Sequence, residues 1–250
     1  MNDVFAPPTP TFFDAITTIV TAAGYLFVAI AALVRVPRDM RALVFFAVAA
    51  LNLGPAAGTM VLWHQGAHAA YTPELVTMLT VTTLAGSQAL FHFTQLFPRR
   101  RPWIARYHLW LLLGYFVVIL VPLGLLAVLR SVEQITAVWG LVATAVALPL
   151  IGVFGVVVPL AGLVSLYKSY KEASAAGNDR PARAAFWMLV SQVGGGILAA
   201  ILLPLLHMLA LPLAWTTAAS ALLFAFGILM PLAYATAVWR FRLLDPSSAA

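Results

Sequence analysis

Long apolar runs alternate along the chain with short polar breaks, and seven of the runs are long enough to cross a bilayer. A hydrocarbon core about 30 Å thick takes roughly 20 residues of helix. The runs extend from Phe12 to Val34, Leu43 to Trp63, Leu75 to Phe97, Tyr107 to Leu129, Ile135 to Tyr167, Ala184 to Ala210 and Leu213 to Trp239. In lipid every backbone donor and acceptor must be satisfied within the protein, so each run is predicted to be a helix. The expected fold is an all-α membrane protein, a single seven-transmembrane helix bundle with no second domain. The fifth run, roughly 33 residues or about 50 Å of helix, is longer than a bilayer requires. It is expected to tilt, to bend at Pro149 and Pro159, or to project beyond the membrane. After it, SLYKSYKEASAAGNDRPAR contains the one generous loop expected, around Gly177, Asn178 and Pro181.

Composition points the same way. Of 250 residues, 63% are hydrophobic and 9% charged, too few charges for a water-exposed surface, which is usually built with about 25%. A net charge of +6 would suit nucleic acid if it were gathered in one patch. It is instead divided among short clusters between apolar runs, so nucleic acid is not an expected partner. The distribution sets an orientation. Arg35, Arg38 and Arg41 lie in the first loop, Arg99, Arg100, Arg101 and Arg106 in the third, Lys168, Lys171, Arg180 and Arg183 in the fifth, and Arg240 and Arg242 in the tail. All of these fall on one side of a seven-helix arrangement, leaving only Arg130 on the other. Basic loops stay in the cytoplasm, so the N-terminus is expected outside and the C-terminus in the cytoplasm, in a bacterial inner membrane. Trp63, Trp139 and Trp215 then fall at the outer ends, and Trp103, Trp110, Trp187 and Trp239 at the inner ends, as the headgroup preference of tryptophan requires. The chain has no cysteine, which excludes disulfides and thiolate chemistry. Its start has no Lys or Arg ahead of a first run too long for a signal peptide.

The third run is the most polar. Thr80, Thr83, Ser87, Gln88, His92 and Gln95 recur at helical spacing and are predicted to share one face. Two readings follow. The face serves interhelical hydrogen bonds, or it walls a cavity for a small ligand or lipid headgroup, with Asn52 beside it and Ser191 and Gln192 opposite. Prolines inside five runs, at Pro55, Pro122, Pro149 with Pro159, Pro204 and Pro231, would kink helices. Among the histidines, His92 sits near the inner end and His207 near the outer end, roughly 20 Å apart along the membrane normal, so they do not share a haem. His64 and His207 lie at one level, His92 and His108 at the other. These are candidates for facing a partner or for holding a pigment singly. No cofactor or metal is expected, although one haem or pigment on a single histidine stays open. No Lys, Asp, Glu or Arg lies mid-span, which removes a retinal Schiff base and the usual proton and ion paths. No catalytic motif is present, so the protein is not expected to be an enzyme.

Four stretches together resemble a known family: LVRVPRDMRALVFFAVAAL, FHFTQLFPRRRPW, SLYKSYKEASAAGNDRPARAAFWMLVSQ and PLAYATAVWRFRLLD. They are similar to the seven-helix N-terminal membrane module of bacterial sensor histidine kinases and related signalling proteins. In that family a Phe-Pro-Arg-like corner ends the third helix, as Phe97, Pro98 and Arg99 do here. An aromatic-basic exit ends the last, as Phe241, Arg242, Leu243, Leu244 and Asp245 do. The resemblance implies sensing. In the family this exit leads to a cytoplasmic effector domain. Here about ten residues follow the seventh run, so kinase activity is not expected to transfer. The expected function is a non-catalytic sensor or receptor-like module working through another membrane protein. The alternative is an accessory structural subunit of a larger membrane assembly, for example photosynthetic or respiratory, in contact with lipid or pigment.

Overall fold

The computed structural model describes residues 12–65, 72–97, 103–131, 149–194 and 213–240, with Ala145. Among these residues all regular structure is helical: α1 (Phe12–Arg35), α2 (Met40–Leu51), α3 (Leu53–Gln65), α4 (Pro73–Leu96), α5 (Trp103–Ser131), a π-helical segment (Ile151–Val157) leading into α6 (Val158–Ala175), α7 (Asp179–Gln192) and α8 (Leu213–Trp239). Four stretches are long and apolar enough to cross a membrane: Phe12–Arg35, Met40–Gln65, His108–Leu125 and Ile151–Ala175. The chain is therefore a multi-pass membrane protein. Large side chains left on its outside agree, with Leu109 and Trp110 each 68% exposed on α5. Such a surface suits hydrocarbon and would be a liability in water.

Local chemistry sets the element ends. Asp39 caps α2: its Oδ1 accepts from the Arg41 N–H at 2.7 Å, while its Oδ2 takes a salt bridge from Arg41 Nη2 at 2.7 Å. Thr72 caps α4, accepting from the Leu75 N–H at 3.3 Å, with Pro73 in the first turn where no N–H is missed. The second apolar run is one span in length but two helices in form. Pro55 has no N–H to give and its ring crowds the carbonyl four residues back. Helix α2 stops at Leu51 and α3 restarts at Leu53, with Asn52 at the break donating from Nδ2 to the Val48 carbonyl at 2.8 Å.

The expected loop after the fifth run is mostly helix. Helix α6 continues to Ala175, and a turn at Ala176–Asn178 delivers the chain to α7 at Asp179. Gly177 makes that turn with φ at 67°, a conformation open to glycine because it has no Cβ. The Gly177 N–H reaches the Ser174 carbonyl at 3.1 Å and the Asn178 N–H reaches the Ala173 carbonyl at 2.9 Å, which together form the Schellman closure of a helix. Proline at 181 falls in the first turn of α7, so it begins a helix instead of marking a loop.

Helix α4 packs against α2, α3, α5 and α6, whereas α1, α8, α7 and α6 follow one another around the remaining side. The core is densest where α1 ends, α2 begins and α8 ends. There Phe45 stacks on Tyr234 with ring centres 3.9 Å apart, and Phe93 meets Phe45 and Tyr234 at 5.3 Å each. Phe97 and Tyr25 extend the cluster on either side. Phe45, Phe93, Phe97 and Tyr234 are fully buried. Among the described residues the Tyr234 hydroxyl is the one fully enclosed side-chain polar atom without a hydrogen-bond partner. An unpaired buried hydroxyl costs about 1–3 kcal/mol. Tyr234→Phe keeps every ring contact and is expected to be neutral or stabilising by about 1 kcal/mol in reversible unfolding from detergent. A clear loss of stability would show that the hydroxyl is partnered in the membrane.

Candidate ligand cavity

The aromatic cluster borders a half-open cavity of about 400 Å³ between α1, α2, α4, α7 and α8. Tyr25 and Val48 belong to both the core and the cavity wall. Helix α1 contributes Thr21 and Tyr25, the α2–α3 break contributes Leu51, Asn52 and Pro55, α4 presents Thr82, Thr83, Gly86, Ser87 and Leu90, α7 presents Ser191 and Gln192, and α8 presents Gly227. The break at Asn52 turns a polar amide inward, and the two glycines leave space where a side chain would stand.

Several polar groups on the wall are already bonded. Thr21 Oγ1 donates to the Thr17 carbonyl at 2.8 Å, and Thr82 Oγ1 to the Met78 carbonyl at 2.7 Å. Ser191 Oγ donates to the Phe226 carbonyl at 2.7 Å, in the stretch of α8 just ahead of Pro231, and Gln192 Nε2 to Met230 Sδ. Three hydroxyls, those of Tyr25, Thr83 and Ser87, have no hydrogen-bond partner among the described residues. The side-chain carbonyls of Asn52 and Gln192 likewise receive no donor there. None of the described lining residues carries a charge. The wall is neutral and retains unused donors and acceptors.

Of the residues singled out in the sequence, Asn52, Thr83, Ser87, Ser191 and Gln192 meet at this cavity. The others lie elsewhere. Gln88 is buried against α5 and donates from Nε2 to the Leu111 carbonyl at 3.0 Å. His92 Nδ1 pairs with the Tyr115 hydroxyl at 3.4 Å. Gln95 donates to Thr94 Oγ1 at 3.2 Å and accepts from Ser165 Oγ on α6 at 3.1 Å. Thr80 is half-buried, one turn away from the lining positions. The single polar face expected of α4 is thus two faces. At about 100° per residue, Thr80, Thr83 and Ser87 point one way and Gln88, His92 and Gln95 point roughly 110° around the helix from them. The first set meets the cavity or its flank and the second bonds to α5 and α6.

His64 is exposed near the end of α3 and His108 is exposed on α5, while His207 lies outside the described residues. Among the described residues no three His, Asp or Glu side chains gather as a metal site. Thr21, Tyr25, Thr82, Gly86 and Gly227 were not among the positions expected in a site. Thr17, Thr21 and Tyr25 recur every four residues through an apolar run, the one sequence signal that α1 has a polar stripe to turn inward. No protein family matches the chain, and no curated protein or solved structure matches it either.

Proposed function

We propose that the protein is a seven-helix receptor module of the bacterial inner membrane that holds a small ligand in the mid-bundle cavity and acts through a separate membrane partner. The observation that carries this reading is the neutral wall on which buried Tyr25 and half-buried Ser87 present hydroxyls without a partner among the described residues, with the Thr83 hydroxyl at its exposed edge. Interior polar groups in a membrane protein ordinarily bond to one another, as Gln88 and Gln95 do, because an unmade bond in low dielectric is costly. A wall that keeps several of them free is suited to a ligand. The family resemblance supports the same direction. The basic loops support an N-terminus outside and a C-terminus in the cytoplasm. The ring contact of Phe12 with Trp63, at 5.7 Å, fits this topology by bringing the start of the first span to the end of the second.

Gly86→Leu tests the reading. A Cβ at Gly86 would meet only Leu51, at 3.8 Å, so the longer side chain enters the cavity without displacing a helix. Wild-type protein extracted from its membrane in polymer-bounded lipid discs is expected to carry a small molecule visible by native mass spectrometry. The variant should melt at the same temperature and lack that molecule. Identical small-molecule content in the two proteins would sink the proposal. An accessory subunit is the second reading, favoured by the broad apolar face of α5, where Phe116 is 62% exposed beside Leu109 and Trp110. It predicts a fixed protein partner in the same discs whose binding is indifferent to Gly86→Leu.

A further inference from the structure

We infer that the ligand is an uncharged amphiphile whose oxygen-bearing head rests at the bilayer midplane, such as a quinone or a long-chain alcohol, and not a phospholipid, a fatty-acid anion or an inorganic ion. The inference rests on the cavity being a ligand site and adds the chemistry of what fills it.

Charge is the first constraint. Thr21, Tyr25, Asn52, Thr83, Ser87 and Gln192 supply the polar wall, and none of them can neutralise an ion. An ion buried without a counter-charge or a full set of hydrogen bonds is strongly disfavoured. Among the described residues the Asp39–Arg41 pair caps α2, with Arg41 Nη2 2.7 Å from Asp39 Oδ2, and neither residue lines the cavity. Depth is the second. Tyr25, Ser87 and Gly227 lie near the middle of α1, α4 and α8, and Asn52 lies at the break in the middle of the second span. Phospholipid headgroups begin about 15 Å from that level, half the thickness of the hydrocarbon core. A head that reaches the midplane must be at home in hydrocarbon.

Hydrogen-bond capacity is the third. Tyr25 is 8% exposed, its ring lies beside Phe45 at 6.0 Å, and its hydroxyl has no partner among the described residues. With Ser87 and Thr83 it offers donors to a ligand oxygen. Asn52 uses its Nδ2 on the Val48 carbonyl, which leaves Oδ1 to accept. A quinone carbonyl can use the hydroxyl donors alone. An alcohol can use them and also donate to Asn52 Oδ1. The shared chemistry is a neutral oxygen head on an apolar body, and the two sources differ in their need for Asn52.

The test uses the full chain in phosphatidylcholine discs, with labelled decylubiquinone, dodecanol and dodecanoate measured by equilibrium dialysis against empty discs. At least one neutral probe is expected to be enriched about tenfold over empty discs, with dodecanoate not enriched at pH 8. Tyr25→Phe combined with Ser87→Ala keeps both packing shapes and should lower that enrichment about tenfold, the equivalent of one lost hydrogen bond. Asn52→Leu should weaken dodecanol and spare decylubiquinone. Enrichment of dodecanoate, abolished by Gly86→Leu, would overturn the neutral class while leaving the cavity as a ligand site. No enrichment of any probe, or enrichment that survives Gly86→Leu, would overturn both.

Discussion

Phe45→Ala is expected to cost about 3–5 kcal/mol, the range for deleting a fully buried aromatic ring, measured by reversible unfolding in mixed detergent micelles. Phe45 is fully buried and touches three aromatic neighbours, at 3.9 Å to Tyr234, 5.3 Å to Phe93 and 6.0 Å to Tyr25. It is the member that joins α1, α4 and α8 through α2, so its loss leaves a void that none of those helices can close alone. Phe116→Ala is the comparison. That ring is 62% exposed, and on a lipid-facing surface its removal exchanges protein carbon for lipid carbon at little cost. A loss for Phe45→Ala no larger than for Phe116→Ala would mean that the cluster does not hold the bundle together. Because Tyr25 is also cavity wall, the same substitution should reduce ligand retention.

The second large effect lies between α4 and α5. A Cβ on Gly114 would run into the amide of Gln88, whose Nε2 donates to the Leu111 carbonyl one turn earlier on α5 at 3.0 Å. The amide cannot swing aside without giving up that bond, and Gln88 is only 4% exposed. Gly114→Ala is therefore expected to destabilise by about 1–3 kcal/mol, the usual cost of overpacking, despite alanine being the better helix former. Gln88→Ala alone should cost less, about 0.6 kcal/mol for an interhelical hydrogen bond in a membrane. The double variant should be more stable than the sum of the two predicts, because removing the amide makes room for the new methyl. Simple additivity would show that the two side chains do not meet, since coupling is confined to residues in contact.

These two regions show what the sequence carries and what it leaves out. Hydropathy found helices long and apolar enough to cross a membrane, because the alternation of apolar length and polar break is itself the physical requirement for spanning. It did not show that the second run would part at Asn52. A proline in an apolar run is read equally well as a kink or as a break, and the choice depends on whether a neighbour such as α4 approaches closely enough to use the gap. The loop expected after Tyr167 became helix for a related reason. Lys168, Ser169, Tyr170, Lys171 and Glu172 are polar but are good enough helix formers to continue α6 outside hydrocarbon, until Gly177 supplies the reversal.

The polar stretch of α4 was legible as a set of residues and misleading as a single face. Spacings of three and four were grouped across the single step from Ser87 to Gln88, which turns the direction by about 100°. That step separates groups bonded to other helices from groups left for the cavity. Asn52, Ser191 and Gln192 stand out in the sequence for their polarity in apolar runs, and all three line the cavity. Tyr25 escaped it because tyrosine is common at headgroup depth and draws attention only once its position along α1 is known. Gly86 and Gly227 escaped because what they contribute is room, and room belongs to the packed bundle and not to any one residue.

The π-helical stretch Ile151–Val157, closed by a bond from the Val158 N–H to the Val153 carbonyl, lies between Pro149 and Pro159, where the second proline crowds the carbonyl of Gly155. Winding through five residues instead of four widens the turn and shortens the advance along the axis for each residue spent. Residue count is then a poor ruler in this part of the chain. The fifth run was expected to be too long for a bilayer on the assumption of a constant helical rise. The wide turn takes up a small part of that excess, while residues 135–144 and 146–148 of the run lie outside the described residues. The widened turn also resets the angular register of everything after it, so the rotation that aims Ser165 at Gln95 is set about two turns before Ser165 is reached.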